Sequence, residues 1–176
     1  MFREARDESN FHWTMLGDID EGRPNLGQTT SVAVYRLMQF TLRDAMIKEL
    51  GVENTDTIFF EAGKRAGTEF YEHLLTKDQS FSQFVNELQN VLKDLKVGVL
   101  RIEKSDLEHN AFTLTVAEDL DCSGLPVCEE QICTYDEGFI AGLLESQTNR
   151  PFAVKEVDCW CSGDRVCRFD ARALEV

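Results

Sequence analysis

The stretch from Cys122 to Phe169 reads CSGLPVCEEQICTYDEGFIAGLLESQTNRPFAVKEVDCWCSGDRVCRF and contains all six cysteines of the chain. The cysteines form two groups, one before and one after a segment whose apolar residues have helical spacing. Thiolates from two separate segments are a common way for a protein to hold a soft metal ion or a redox cluster. The stretch therefore predicts a metal or redox centre where the two groups meet.

Between the two groups, apolar residues predict a helix from Gln131 to Thr148. It contains Gly138 and Gly142, and each glycine weakens a helix by about 1 kcal/mol relative to alanine. We therefore expect this pair to allow close packing against another element. After the helix, the segments PFAVKEVDCW and RVCRFDARA are joined by CSGD, whose Ser-Gly-Asp suits a tight turn. They predict a terminal hairpin.

Three amphipathic helices are predicted upstream, over residues 30–50, about 54–74 and 80–95, with Ser80 as the N-cap of the third. From Val97 the pattern changes to the alternating segments VGVLRIEKS and AFTLTVAED, which predict a first hairpin. The order of the elements favours an α+β fold, with N-terminal helices and an antiparallel sheet of about four strands covered by helices on one side.

The chain has 176 residues, of which 43% are apolar, and this is enough for one core. We expect a single domain over residues 1–176, with a helical part over about 1–96 and a cysteine-rich α/β part over about 97–176. Its 18 basic and 32 acidic residues give a net charge of -14. This charge argues against nucleic acid and anionic membranes as partners.

The apolar run nearest the cysteines, GFIAGLL, is far shorter than the roughly 20 residues that cross a bilayer. The chain also starts with the charged segment MFREARDESN. These features predict a cytoplasmic protein, in which reduced thiols favour metal or redox roles over disulfides.

Four cysteines are candidate metal ligands from their positions alone. Cys133 is expected in the first turn of its helix, where free N–H groups and the helix dipole favour a thiolate. The terminal hairpin and its turn carry Cys159, Cys161 and Cys167. A tetrahedral zinc ion, with Zn–S bonds of about 2.3 Å, would close such a site. The spacing differs from the paired Cys-x-x-Cys of a zinc ribbon, and any one such cysteine alone is more often a small buried apolar residue.

The stretch from Cys122 to Phe169 resembles the signature of the 4-vinyl reductase (4VR) domain family, small domains described as predicted hydrocarbon-binding modules. The family includes the sensory domains of phenol-responsive transcription activators, whose zinc is held by three cysteines and one glutamate. On this chain the resemblance implies a metal site at Cys133, Glu156, Cys159 and Cys167. It also implies a fold similar to haem-based NO sensors and vesicle-tethering subunits, and pairing as a homodimer.

The strand period gives a different answer for one ligand. In a regular strand Glu156 and Cys159 point to opposite faces, whereas Cys159 and Cys161 share one. The glutamate pattern therefore requires the strand to end, bulge or turn sharply between Val157 and Cys159.

Three further cysteines are rival ligands: Cys161, Cys128 and Cys122. Because iron–sulfur clusters commonly take four thiolates, this excess of sulfur keeps such a cluster as the alternative to zinc.

A zinc ion with four protein ligands has no open position, so its expected role is to fasten the hairpin to the helix. Function is then expected in the space between helices and sheet. Aromatic residues there are candidate ligand contacts, although most such residues are simply core; they are Phe59, Phe70, Phe84, Phe112, Tyr135 and Phe139. The resemblance favours the pocket interpretation and a metal-stabilised binding or sensor module for a small hydrophobic ligand, aromatic or tetrapyrrole-like.

Two alternatives remain at this point: an iron–sulfur redox or regulatory protein, and a component of a tetrapyrrole vinyl reductase, which the family's name suggests. The chain carries no dinucleotide fingerprint, so a reductase would need a redox metal or a partner as its electron source. An enzymatic role is therefore left open and is less favoured than binding.

Overall fold

The computed structural model describes residues 11–128 and 130–175, and within them the long helices and the strands follow the predicted order. The helices are α1 (Ile19–Gly22), α2 (Val32–Leu50), α3 (Val52–Leu74), α4 (Phe81–Asp94) and α5 (Thr134–Thr148). The strands are β1 (Val99–Asp106), β2 (Ala111–Ala117), β3 (Phe152–Asp158) and β4 (Cys167–Ala173). Single 3-10 turns cover Trp13–Leu16 and Trp160–Ser162.

The four strands form one antiparallel sheet in the order β1-β2-β4-β3. The two hairpins therefore meet through β2 and β4, where Val116 pairs with Cys167. In β3 the buried residues alternate with exposed ones, so that Phe152, Val154 and Glu156 share the covered face. The predicted α+β class, with an antiparallel sheet of four strands, is confirmed.

Helix ends follow local capping rules at two of the predicted positions. Ser80 caps α4 in a reciprocal capping box with Gln83. The cysteine-bearing helix differs, because α5 begins at Thr134 rather than at Gln131. Cys133 is therefore the N-cap residue and does not lie in the first turn. The segment before α5 is bonded to β3 instead, since Gln131 Nε2 donates to the carbonyl oxygen of Val157.

The helices α3 and α5 approach backbone to backbone through four glycines, two on each helix: Gly63, Gly67, Gly138 and Gly142. A Cβ atom on Gly67 would lie 2.1 Å from the carbonyl oxygen of Phe139, and contacts as short are found at the other three. The close packing expected for Gly138 and Gly142 is confirmed. The sequence did not identify Gly63 and Gly67 as their counterparts on α3.

The core lies between the sheet and the helices α4 and α5. Phe112 stacks on Phe81 with ring centroids 4.5 Å apart and on Phe152 at 6.1 Å. Phe70 of α3 meets Phe139 of α5 edge to face, with centroids 5.2 Å apart. Over residues 11–128 and 130–175, the helices all fall short of the combined length and apolar composition that a membrane span requires.

Candidate metal centre and adjoining cavities

Four buried cysteine sulfurs converge at one place in the fold, and they belong to Cys122, Cys133, Cys159 and Cys167. Their Sγ atoms all lie within 4.8 Å of one another. The Sγ atom of Cys133 lies 3.8 Å from that of Cys159 and 3.8 Å from that of Cys167. In a tetrahedral site with Zn–S bonds of about 2.3 Å, the sulfurs are about 3.8 Å apart. The donor set therefore fits a single tetrahedral ion.

Each sulfur comes from a different element. Cys122 lies in the loop after β2, Cys133 caps α5, Cys159 directly follows β3, and Cys167 is the first residue of β4. Cys122 and Cys167 are brought together by the pairing of β2 with β4, and their Sγ atoms are 3.0 Å apart. An ion held here would join the sheet to the start of α5.

Glu156, the carboxylate ligand implied by the resemblance, is buried beside this group. Its Oε2 atom accepts a hydrogen bond of 3.1 Å from the backbone N–H of Cys133. Its Oε1 atom has no hydrogen-bond partner among the described residues. Burial raises the pKa of Glu156 to about 8. The structure places a fourth sulfur, that of Cys122, in the group and this carboxylate next to it.

The strand irregularity that the glutamate pattern required is present. The pairing of β3 with β4 shifts register between Glu156 and Asp158, and the strand ends at Asp158. Glu156 and Cys159 are therefore both buried, although they lie three apart in the sequence. A regular strand would have pointed one of them outward.

The remaining two cysteines lie outside this group and next to each other. Cys161 is buried in the turn after β3, and Cys128 is exposed. The backbone N–H of Cys128 donates to the carbonyl oxygen of Cys161 at 2.9 Å. Of the three rival ligands, the structure thus brings only Cys122 to the sulfur group, within the part of the chain that it describes.

The electrostatics within the sulfur group are asymmetric. Hydrogen bonds from the thiols of Cys122, Cys133 and Cys167 lower the pKa of Cys159. The hydrogen bond to Cys122 raises the pKa of Cys133, as do those to the other two thiols. One thiolate is therefore favoured before any ion binds, and full occupancy requires the release of further protons.

Two acidic residues connect the sulfur group to the core. Carboxylate oxygens of Asp119 and Asp136 lie within 4.8 Å of each other and of the Sγ atom of Cys133. Burial raises the pKa of Asp119 to about 6 and that of Asp136 well above its ordinary value. The Oδ2 atom of Asp136 is buried without a hydrogen-bond partner in the described part of the chain.

Both carboxyl groups line a cavity of about 40 Å³ between α4, α5, β1 and β2, which we call the core cavity. The rest of its wall is apolar and includes Phe84, Leu88 and Phe139. Two of the predicted pocket aromatics, Phe84 and Phe139, therefore lie on this cavity.

A second cavity of about 320 Å³ lies beside α2, and we call it the α2 cavity. Its wall includes two more of the predicted aromatics, Phe59 and Tyr135, together with Cys128 and Cys161. The last two predicted aromatics, Phe70 and Phe112, pack in the core instead. The predicted set is thus divided between two cavities and the core.

A chain of backbone contacts holds the loop that carries Cys122. Asp119 Oδ1 accepts from the N–H groups of Asp121 and Cys122 at 2.8 and 3.0 Å. Arg36 of α2 donates to three carbonyl oxygens of the same loop. Sequence reasoning did not single out Arg36, because an arginine on an exposed helix carries no signal of its partner.

Comparison with known proteins relates this geometry to a family. A sequence model of the vinyl-4-reductase (4VR) domain matches residues 112–173. The uncharacterized protein MJ1642 of Methanocaldococcus jannaschii is 30% identical over 151 residues, which cover 85% of this chain and 82% of that protein.

Solved structures show the same fold at low sequence identity. The phenol-responsive sensory domain of the transcription activator PoxR, solved with phenol, has a TM-score of 0.67 and 14% identity, over 84% of this chain and 76% of that one. A vinyl-4-reductase family protein of Methanocaldococcus jannaschii has a TM-score of 0.63 and 18% identity, over 96% and 99%.

The predicted likeness to vesicle-tethering subunits and NO sensors is also confirmed at the level of the fold. A trafficking protein particle complex subunit 3 from Naegleria fowleri gives a TM-score of 0.64 at 14% identity, over 82% of this chain and 95% of that one. An H-NOX protein from S. oneidensis gives 0.55 at 12% identity, over 84% and 78%. By its domain match and by its identity to a relative along most of its length, the chain belongs to the vinyl-4-reductase (4VR) domain family.

Proposed function

We propose that this protein is a binding or sensor module for a small hydrophobic ligand, which it holds in the core cavity, and that a structural zinc ion fastens the fold beside that cavity. The observation that carries the proposal is an apolar cavity whose only acidic wall residues, within the described chain, are Asp119 and Asp136, next to four converging sulfurs. Membership of the 4VR family and the fold shared with a phenol-responsive domain support it.

The spacing of the sulfurs supports one ion over an iron–sulfur cluster. A cluster places several irons and bridging sulfides between its thiolates, and so it needs sulfurs farther apart than a single ion does. Separations within 4.8 Å leave room for one tetrahedral ion. With Cys122, Cys133, Cys159 and Cys167 as ligands, such an ion has no open position, and its contribution is to stability.

Glu156 then has a supporting role in the proposed site. Its carboxylate accepts the backbone N–H of Cys133 and so orients the cap of α5. Groups that orient a ligand in this way commonly matter for metal affinity. The glutamate implied by the resemblance thus remains the direct rival of Cys122 for the fourth position.

The size of the core cavity bears on the class of ligand. A volume of about 40 Å³ exceeds the roughly 10–15 Å³ that one water needs. It supports a ligand of about one ring, rather than a tetrapyrrole.

A polar group on the ligand is also expected. The Oδ2 atom of Asp136 is buried with no bonding partner in residues 11–128 and 130–175. A buried polar atom left in this way costs about 1–3 kcal/mol. A ring that carries a hydroxyl or amino group would satisfy this oxygen and place its apolar part against Phe84 and Phe139.

Thermal unfolding of the metal-loaded chain with phenol, aniline and toluene tests the proposal. A ligand at about 100 times its dissociation constant stabilises the folded state by about 2.7 kcal/mol. We expect phenol and aniline to raise the Tm more than toluene does. The variant Val85→Phe fills the cavity wall on α4 and should abolish the shift, whereas Val91→Phe, also partly buried on α4 but away from the cavity, should preserve it.

Two results would count against the proposal. One is the lack of a shift with all three compounds at their solubility limits. The other is a shift that Val85→Phe and Val91→Phe leave equally intact. Metal analysis of anaerobically purified protein checks the ion separately, since one zinc per chain in a colourless sample is expected and an iron-containing, coloured sample would contradict it.

A further inference from the structure

The α2 cavity carries two polar side chains with unused hydrogen-bonding capacity. Gln39 and Arg43 are four residues apart on α2, so they lie on the same side of the helix. The Oε1 atom of Gln39 and the Nη1 atom of Arg43 are both buried, and neither has a hydrogen-bond partner among the residues described. Both residues line the cavity. One acceptor and one donor are therefore unsatisfied on one wall.

The orientation of the Gln39 amide is determined by its neighbours. Its Nε2 atom donates a 2.7 Å hydrogen bond to Asp121 Oδ2, and Asp121 Oδ1 accepts a 2.8 Å bond from the hydroxyl of Tyr35. Because a carboxylate only accepts, the amide nitrogen must face Asp121. The amide oxygen is consequently the free acceptor.

The guanidinium of Arg43 is held in a similar way. Its Nη2 atom bonds to Asp56 Oδ1 at 2.5 Å, and its Cζ atom lies 5.2 Å from the ring centroid of Phe59. The ion pair and the cation–π contact hold the plane of the group. The Nη1 atom is left as a donor that the protein itself does not use.

The remaining wall favours a flat and neutral molecule. Aromatic rings of Phe40, Phe59 and Tyr135 provide faces for stacking. The charge of Arg43 is already balanced by Asp56, and Asp121 adds a further acidic group to the wall. An anionic ligand would therefore meet repulsion that a neutral one avoids.

We propose that the α2 cavity is a second ligand site, which binds a neutral planar heterocycle whose edge presents a carbonyl oxygen beside an N–H group, as in a lactam. The carbonyl oxygen accepts from Arg43 Nη1, and the ring N–H donates to Gln39 Oε1. Apolar ring carbons lie against the aromatic wall. A volume of about 320 Å³ falls within the roughly 300–1,000 Å³ range of small-molecule sites and admits one or two rings.

This site is separate from the core cavity, because the two cavities have different lining residues. It also has a built-in reporter. Cys128 is exposed and lies on the wall of the α2 cavity, whereas the four converging sulfurs are buried. A molecule in the α2 cavity should therefore slow alkylation of Cys128, and a molecule in the core cavity should not.

The probe is 2-quinolone, a neutral two-ring lactam, and its control is N-methyl-2-quinolone, which has the same carbonyl group and no N–H. Both are titrated against the metal-loaded full chain by calorimetry, and the alkylation rate of Cys128 is followed by mass spectrometry. We expect 2-quinolone to bind at least tenfold more tightly than its N-methyl form, equivalent to about 1.4 kcal/mol. We also expect 2-quinolone to protect Cys128.

Variants of α2 test the assigned residues. Arg43→Met and Gln39→Met should each weaken 2-quinolone binding at least tenfold, while Lys48→Met, which removes an exposed cation from the same helix, should leave it unchanged. Equal binding of the two quinolones overturns the proposal, as does binding that both α2 variants retain or that leaves Cys128 unprotected. Lack of 2-quinolone binding at its solubility limit also overturns it. The comparison of the two probes uses the unaltered protein, so it decides even if a variant does not fold.

Discussion

The Nε atom of Arg36 in α2 lies 2.7 Å from the carbonyl oxygen of Leu120, so a helix residue holds the loop that supplies Cys122 to the sulfur group. The same guanidinium donates to the carbonyl oxygens of Ser123 at 2.9 Å and Asp119 at 3.3 Å. Three bonds from one planar group restrain the loop in position and in direction. The geometry of the candidate metal centre thus depends on a helix that contributes no sulfur to it.

The first prediction follows from this contact. Arg36→Ala should lower zinc affinity by about 10–100-fold, the range typical of groups that orient metal ligands. Arg36→Lys should recover only part of the loss, because an ammonium group cannot reproduce the planar set of donors. Competition with a zinc chelator measures the affinity, and Arg101→Ala, at an exposed arginine of β1, is the control. Equal affinities for Arg36→Ala and Arg101→Ala would show that the loop needs no such restraint.

The second prediction separates the candidates for the fourth ligand. Cys122→Ser should release the metal, because it removes one of the four converging sulfurs. Glu156→Gln should retain it and lose about 1 kcal/mol of stability, since an amide oxygen accepts the Cys133 N–H less strongly than a carboxylate. Metal-to-protein ratios after dialysis measure the result, with Cys161→Ser as the matched cysteine control. Release by Glu156→Gln and retention by Cys122→Ser would instead identify the glutamate as the ligand.

The sequence predicted the elements better than it predicted their neighbours, and Cys122 illustrates the reason. Helices and hairpins follow from local spacing, which is visible along the chain. The proximity of Cys122 to Cys167 depends on the pairing of β2 with β4, two strands about fifty residues apart. Neither strand carries a local signal that names its partner. The resemblance supplied three of the four positions at which the sulfurs converge, and the sheet order supplied the fourth.

The aromatic residues show a second limit of the same kind. Phe70 and Phe84 lie on apolar helix faces with similar spacing, yet Phe84 borders the core cavity and Phe70 packs against Phe139. Periodicity identifies which residues face inward. Whether an inward residue meets a cavity or another side chain depends on how well the helices pack, and this is a property of the assembled core.

The third prediction concerns the contact between α3 and α5. Gly142→Ala should destabilise the protein by about 2 kcal/mol or more, because its Cβ atom would lie 2.1 Å from the carbonyl oxygen of Lys64. This steric cost outweighs the roughly 1 kcal/mol that alanine gains in helix propensity. Gly22→Ala in α1 is the control, since its Cβ atom would meet nothing within 4 Å. Urea denaturation measures both, and equal stabilities would show that the two helices can separate without loss.

The last prediction concerns Glu87 and the connection between α3 and α4. Its carboxylate accepts bonds from the N–H and hydroxyl of Thr76, both at 2.9 Å, and from Gln79 Nε2 at 2.7 Å. The backbone bond from Thr76, together with the side-chain bonds, lowers the pKa of Glu87 below its usual 4.5. A carboxylate with a lowered pKa contributes stability above its unfolded value, and this contribution disappears as the pH falls through the folded value.

Glu87→Gln should therefore lower the free energy of unfolding by about 1 kcal/mol at neutral pH, a modest figure because the carboxylate is partly exposed. The difference from the unaltered protein should shrink as the pH falls below about 4.5. Denaturation of both proteins at each pH cancels the loss of metal, which acid causes in both by protonating thiolates. Glu61→Gln, at an exposed glutamate of α3, should show no comparable change. A deficit that persists unchanged below the folded pKa would mean that Glu87 stabilises the connection through packing, because its charge would then be irrelevant to the effect.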